Sequence, residues 1–141
     1  MKTYFLAYRF SGESQDVLHE RLSLVVEALK NTGIDAYCNF FDNHIMDSRH
    51  LSKRQIIDKA FKKIDESDGL FVLIASNDKS EGQLFEVGYA IAKRKDIIAA
   101  IQQDVETHVS DLANNVIRWD DLNDLSKKLK DMTTWFPPSV V

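Results

Sequence analysis

The stretch LFVLIASNDKSEGQLFEVGYAIA, residues 70–92, decides the fold prediction. It opens with an apolar, β-branched run over 70–75, which predicts a buried strand. A polar loop follows, and then a helix is predicted over 83–94, with the acidic residue Glu86 among apolar neighbours. Because ligands of an open α/β sheet bind at the carboxyl ends of the strands, Glu86 is the first candidate for a reacting residue.

The composition predicts one ordinary globular domain. The chain has 141 residues, of which 44% are hydrophobic and 28% are charged, enough for a single core. The formal net charge of −4 comes from interspersed acidic and basic residues, which argues against a nucleic acid polymer as the partner. We expect a domain over 1–133 and a C-terminal tail over 134–141.

The sequence also predicts a cytoplasmic chain that uses no metal. No apolar run is long enough to cross a membrane, and the first residues enter a strand directly, so we expect neither a membrane anchor nor a signal peptide. Cys38 is the single cysteine, which fits a reducing compartment. The histidines His19, His44, His50 and His108 show no ligand-like spacing.

Apolar runs alternate with helix-period segments along the whole chain. This alternation is typical of βαβ units and a parallel sheet. We expect an α/β fold: a single three-layer domain with a five-stranded parallel sheet, flavodoxin-like or Rossmann-like, and helices on both faces. The predicted strands are 4–8, 34–38, 70–75, 97–101 and 116–119, and the predicted helices are 16–31, 52–67, 83–94 and 122–132.

Two segments fall outside this pattern. Residues 40–51 are polar with scattered apolar side chains, and such a loop is a candidate lid or substrate wall. The tail after residue 133 carries Trp135 and Phe136, which are exposed unless they dock on the body or on another subunit.

The start of the helix after the third strand has two interpretations. Gly82 allows close approach of a ligand, free amides favour an anion, and Glu86 is placed to attack an anomeric carbon. Alternatively, Ser80 and Gln83 form a capping box, and Glu86 points to solvent. The local pattern leaves both open.

The pattern Ser-x-Gly-x-x-x-Glu-x-Gly-x-Ala-x-Ala, residues 80–92, resembles the signature of the nucleoside 2-deoxyribosyltransferase superfamily. The resemblance implies that Glu86 is the nucleophile that takes the deoxyribosyl group from a base. It also implies that Ser80 contacts the 5′ end of the sugar. Members acting on free nucleosides usually carry Asp there, whereas the branch that hydrolyses deoxynucleoside 5′-monophosphates carries Ser.

The same resemblance extends to the first strand and the loop after it. It implies that the Tyr4 hydroxyl orients the Glu86 carboxylate; the alternative for Tyr4 is an ordinary core aromatic. The loop that contains Arg9, Ser11 and Gly12 has the composition, in a different order, of the phosphate loop of the nucleotide-hydrolysing branch. These three residues are therefore candidates for binding the 5′ group.

Two further positions follow from the family pattern. Ser110 lies 24 residues after Glu86, where that branch uses a serine from a neighbouring subunit; its alternative is an N-cap for a helix over 111–114. The family usually places an Asp eight residues before the Asp that opens the third strand, and counting back from Asp68 gives Ala60. Asp58 is the nearest substitute, about 200° around the helix.

The resemblance implies an enzyme that needs no cofactor, acts on a small-molecule nucleoside or nucleotide, and forms a homodimer or a larger homo-oligomer. Two other readings stay open. The segments 8–13 and 33–37 also resemble a TIR domain, a class with NAD-cleaving members, although the region 39–50 lacks the glutamate of that class. The third is a non-catalytic module that binds a nucleotide or a protein.

Overall fold

Strands and helices alternate along the chain in the computed structural model, which describes residues 1–42 and 51–134. The strands are β1 Lys2–Ala7, β2 Ile34–Tyr37, β3 Gly69–Ile74, β4 Asp96–Gln102 and β5 Asn115–Trp119. The helices are α1 Gln15–Asn31, α2 Lys53–Asp65, α3 Glu81–Ala92, α4 Val109–Leu112 and α5 Leu122–Lys130. The predicted α/β architecture is confirmed.

All strand pairs are parallel, in the order β2-β1-β3-β4-β5. In the central pair, Ala7 at the end of β1 lies opposite Val72 of β3. The order reverses between these two strands, since β2 lies on one side of β1 and β4 lies on the far side of β3. This boundary is the topological switch point, where the connections leave in opposite directions and open a crevice.

Helices cover both faces of the sheet and create two cores. On one face, α1 and α5 pack through side chains such as Leu22 and Leu125, together with alternate strand residues. On the other face, Ile64 of α2 and Val87 of α3 pack against the remaining strand residues. Strands that are apolar on both faces therefore form the middle layer of three, as expected for a parallel sheet.

Local signals set the helix ends. Ser52 caps α2 in a reciprocal capping box, in which its side chain accepts from the Gln55 N–H and the Gln55 side chain accepts from the Ser52 N–H. Gly33 follows α1 with φ +89°, a left-handed conformation that glycine adopts without strain. The start of α2 and the end of α1 therefore lie within a residue or two of their predicted positions.

Two predicted details are wrong. The apolar spacing over 52–67 predicts that Ile56 faces inward, but its side chain is 45% exposed. The reason is that α2 packs on the sheet through its C-terminal half, around Phe61 and Ile64. The short helix predicted over 111–114 is α4, which begins two residues earlier and has His108 at its N-cap. Most of the predicted lid, 43–50, and the residues 135–141 of the tail lie outside the described residues.

Candidate functional site

A cleft lies at the switch point, where β1 and β3 end and the loops to α1 and α3 begin. Its charged, phenolic and amide-bearing lining residues are Tyr8, Arg9, Glu13, Arg21, Asp78 and Gln83. The enclosed part of the cleft has a volume of about 20 Å³, which is room for a water molecule. A larger ligand would therefore lie in the part that opens to solvent.

The start of α3 borders this cleft. Ser80 is the N-cap, and its hydroxyl accepts from the Gln83 N–H at 3.2 Å. The Gln83 side chain does not return to Ser80: its Nε2 donates to the carbonyls of Ala7 and Leu73, at 3.2 and 2.8 Å. The capping-box interpretation of this segment is therefore half right, since the cap forms and the reciprocal bond does not.

Gly82 lies in the first turn of α3, exposed, and a Cβ added there would meet no atom within 4 Å. No contact within the described residues requires a glycine at this position. The space beside its backbone is available to a ligand that approaches the amides at the start of the helix.

Glu86 lies one turn further along α3 and is only partly exposed. Burial raises the pKa of its carboxyl from 4.5 to about 8, because desolvation disfavours the ionised form. The interpretation in which Glu86 points to solvent is therefore wrong. At neutral pH the carboxyl therefore keeps its proton, and a strongly raised carboxyl pKa is a common mark of a functional site.

Tyr8 lies near enough to Glu86 for the two groups to interact electrostatically. It is the first residue beyond β1 and lines the cleft. Burial, then the nearby Cys38 and Glu86, raise the pKa of its phenol, so the phenol stays protonated and can donate a hydrogen bond. Its position after the strand was visible in the sequence, but nothing there distinguished it from Tyr4.

Tyr4 lies at the opposite edge of the sheet. Its hydroxyl donates to Asp96 Oδ2 at 2.6 Å, and its ring covers Gly69 at the start of β3. The side chain belongs to the core on the α1 and α5 face, whereas α3 packs on the other face. The prediction that Tyr4 orients Glu86 is corrected accordingly, since Tyr4 is a core aromatic at the amino edge.

Arg9 connects the two loops that border the cleft. Its Nη1 lies 3.5 Å from Glu13 Oε1 and 3.5 Å from Asp78 Oδ2. Arg21 of α1, which sequence reasoning missed, lies 4.0 Å from the same Glu13 oxygen. The two guanidinium groups are thus already paired with the carboxylates of Glu13 and Asp78. An anionic ligand that binds here would have to displace these carboxylates.

The turn after β1 shapes the position of Arg9. The Glu13 N–H donates to the Phe10 carbonyl at 3.4 Å, and Gly12 has φ +81°. A Cβ on Gly12 would come within 2.8 Å of Arg9 Nη2, so glycine gives the guanidinium room as well as allowing the turn. Ser11 lies in the same turn and is exposed.

Asp58 and Ser110 lie away from this cleft. Asp58 is 56% exposed on α2 and pairs with Arg54 at 3.1 Å, so the structure does not bring it to Glu86. The Ser110 hydroxyl donates to the Thr107 carbonyl at 2.8 Å, within the connection between β4 and β5. Ser110 is also not the predicted N-cap, since His108 holds that position.

An aromatic cluster, which we call the aromatic wall, extends from Tyr8 towards the end of β2. The centroid of the Phe40 ring lies 6.3 Å from that of Tyr8 and 5.3 Å from that of Phe41, and both pairs are edge to face. The centroid of the His19 ring, on α1, lies 5.7 Å from that of Phe41. Such rings offer a surface for a planar ligand. The Phe40-Phe41 pair was visible in the sequence, but its proximity to Tyr8 depends on β2 lying beside β1.

The described residues contain neither a metal-binding cluster nor a membrane-spanning helix. Among 1–42 and 51–134, no three His, Cys, Asp or Glu side chains cluster in a way that could hold a metal ion. Within the same ranges, no helix has the length and apolar character needed to cross a bilayer.

Solved structures with the same fold include two enzymes. A CMP N-glycosidase, BcmB, from Clostridium botulinum has a TM-score of 0.66 at 20% identity, over 91% of this chain and 97% of that one. A 2-deoxyribosyltransferase from Bacillus psychrosaccharolyticus has a TM-score of 0.67 at 18% identity, over 90% and 95%. None of the curated protein sequences matches the chain significantly.

The sequence itself matches one family model, described as nucleoside 2-deoxyribosyltransferase, over residues 6–123. The match covers both loops of the cleft and all of α3, so it includes Arg9, Ser80 and Glu86. With most of its length matched, and with the strand order and switch-point cleft described above, the chain belongs to the nucleoside 2-deoxyribosyltransferase family.

Proposed function

We propose that this chain cleaves the N-glycosidic bond of a nucleoside or nucleoside 5′-monophosphate, with Glu86 as the nucleophile. The observation that carries the proposal is a desolvated carboxyl, Glu86, near the phenol of Tyr8, which lines the switch-point cleft. Membership of the family supports transfer or cleavage at this type of bond, and the two enzymes with the same fold act on a cytidine nucleotide and on deoxyribosyl groups.

The proposed first step is an attack by a Glu86 oxygen on C1′ of the sugar. The C1′–O bond forms, the C1′–N bond breaks, and the base leaves with the bonding electrons. Because burial raises the pKa of the Glu86 carboxyl, the acid first releases its proton to solvent and then attacks as the carboxylate. The departing base takes up one proton in return, so charges and protons balance. Water or a second base then attacks C1′ and releases the carboxylate, which completes hydrolysis or transfer.

The 5′ end of the substrate is proposed to lie near Arg9 and Arg21. A phosphate would replace Glu13 and Asp78 as their partner and gain charge-assisted hydrogen bonds. Ser80 and the open backbone at Gly82 border the same end of the cleft, and Ser11 and Gly12 belong to the adjoining turn. The base is proposed to lie on the other side of Tyr8, against the aromatic wall.

Asp58 and Ser110 remain proposals of a different kind. Asp58 reaches the substrate only if α2 shifts, because its carboxylate now pairs with Arg54 on the exposed face. Ser110 is proposed to act from a neighbouring subunit. We also propose that the chain works in the cytoplasm as a homo-oligomer, which the exposed apolar side chains of α2 and α3 support: Ile56, Leu84, Phe85 and Ile91.

The experiment is a base-release assay on deoxynucleoside monophosphates, ribonucleotides, free nucleosides and NAD, followed by chromatography. We expect release from at least one nucleoside or nucleotide, and a loss on the order of 10³-fold or more in Glu86→Gln. Glu27→Gln is the matched control, since Glu27 is an exposed carboxylate of α1, and it should keep full activity. Release that survives in Glu86→Gln contradicts the proposal, as does a preference for NAD.

The pH dependence tests the same step. A protonated carboxyl does not attack, so kcat/KM should rise with pH and level off near pH 8, the region in which Glu86 ionises. A profile that is flat from pH 5 to about pH 9 would argue against a nucleophile with a raised pKa.

A further inference from the structure

We infer that Gln83 is a positioning residue for Glu86: its buried amide ties the first turn of α3 to the ends of β1 and β3, and so holds the carboxyl near Tyr8. This inference deepens the proposed function and rests on it for its catalytic consequence. The sequence pattern offered Gln83 only as part of a capping box with Ser80, and the family resemblance gave it no role.

The first observation is the burial of Gln83. Its side chain is 7% exposed. In the described part of the chain, Ser67 is the one other buried polar or charged residue. A buried amide needs its hydrogen bonds made. The Gln83 Nε2 makes two, to Leu73 O at 2.8 Å and to Ala7 O at 3.2 Å.

The orientation of the amide follows from these partners. Both neighbours are carbonyl oxygens, which only accept, so the NH₂ group and not the amide oxygen must face them. Ala7 is the last residue of β1 and Leu73 is the second-last of β3. The pairing of β1 with β3 ends at Ala7 and Val72. Beyond this pair the Gln83 amide connects the two strands in place of a backbone hydrogen bond.

A comparison within the chain shows that this placement is not simple capping. The pattern Ser-x-x-Gln opens both α2 and α3, with Gln55 and Gln83 three residues after their caps. Gln55 returns to the Ser52 N–H at 2.8 Å and completes a capping box. Gln83 gives up that bond, although its own cap residue is present, and reaches into the sheet instead.

The anchored turn determines where Glu86 lies. Residues three apart on a helix are neighbours on one face, so Glu86 lies on the face of α3 that Gln83 anchors to the strand ends. Tyr8 is the residue after Ala7, whose carbonyl the amide holds. One side chain therefore fixes both sides of the Glu86–Tyr8 pair, the helix that carries the carboxyl and the strand end that carries the phenol.

The test is Gln83→Met, which keeps the length of the side chain and removes the donor, with Gln55→Met as the matched control at the start of α2. We expect kcat for base release to fall at least tenfold with little change in KM, and the pH midpoint of the profile to move down by a unit or more. Gln55→Met should change neither kcat nor the pH midpoint, although it too loses a side-chain hydrogen bond, the exposed capping bond to the Ser52 N–H.

A second measurement does not depend on catalysis. The titration of the Glu86 carboxyl, followed by ¹³C NMR with Glu86→Gln to assign the signal, should move towards its ordinary range in Gln83→Met. If the wild type releases no base while this titration still moves, the proposed function fails and the positioning role stands. If kcat and the titration both stay unchanged in Gln83→Met, the positioning role is overturned.

Gln83→Asn serves if the methionine variant does not fold. Its amide is one methylene shorter and can reach at most one of the two carbonyls, so an intermediate effect on kcat and on the titration is expected. An asparagine variant that behaves as wild type in both measurements overturns the inference equally.

Discussion

Replacing Glu86 by glutamine is expected to stabilise the fold at neutral pH, although it removes the proposed reacting group. Burial raises the pKa of the carboxyl from 4.5 to about 8, so the folded chain keeps a proton that the unfolded chain releases. Below pH 4.5 both states are protonated and nothing is lost. As the pH rises towards 8, only the unfolded state gains by ionising, so the stability of the wild type falls. Glutamine resembles the protonated acid at every pH and avoids this loss.

The magnitude follows from the shift. One pKa unit corresponds to about 1.4 kcal/mol, so the change from 4.5 to about 8 amounts to at most about 5 kcal/mol above pH 8. At pH 7 the corresponding figure is about 3 kcal/mol. Because Glu86 is not fully enclosed, solvent screens part of it, and we expect a gain of about 2 kcal/mol in Glu86→Gln at pH 7.

The assay is thermal and urea unfolding at about pH 4.5, 7 and 8.5 and constant ionic strength. The melting temperature of Glu86→Gln should exceed that of the wild type by roughly 5 °C at pH 7, by more at the highest pH, and by nothing at the lowest. The exposed Glu27, changed to glutamine, should show no such trend. A difference that does not vary with pH, or a less stable Glu86→Gln at pH 7, would refute the argument.

Two pairs of variants test the placement of the other residues. Tyr8→Phe should lower the rate of base release by roughly tenfold or more, with little change in stability. Tyr4→Phe should leave base release unchanged and lower the free energy of unfolding by about 1–2 kcal/mol, because it removes the hydrogen bond to Asp96. The reverse outcome would restore Tyr4 to the site. Gly12→Ala and Gly33→Ala should each cost about 1 kcal/mol for positive φ. Only the former should also weaken binding of a nucleoside monophosphate, measured by calorimetry, because its methyl group would displace Arg9; equal affinities in the two variants would contradict the proposed phosphate end.

The sequence alone was sufficient for the elements and their order. The apolar run that became β3, the glycine after α1 and the serine before α2 are local signals, and the structure places each within a residue or two of its prediction. Periodicity and capping act over a few residues, so a linear reading captures them. Glu86 was also found this way, because the pattern around it lies within one loop and one helix.

Only the tertiary structure decided which side chains meet Glu86. Tyr4 and Tyr8 are close in the sequence, the first within β1 and the second directly after it. In the fold, Tyr8 lies at the cleft, at the carboxyl end of the strands, whereas Tyr4 lies towards their amino end and bonds to Asp96. Gln55 and Gln83 follow identical caps, and only Gln83 has two strand ends beside it. Such partners are set by long-range pairing and by the water that packing excludes.

The sequence by itself thus determined a doubly wound sheet and a carboxyl in the second turn of its third helix. The protonation of that carboxyl, its phenolic neighbour and its amide anchor depend on the boundary between β1 and β3. The physical reason is that desolvation and hydrogen bonding act between residues close in space, and those residues come from segments as far apart in the chain as Ala7 and Gln83.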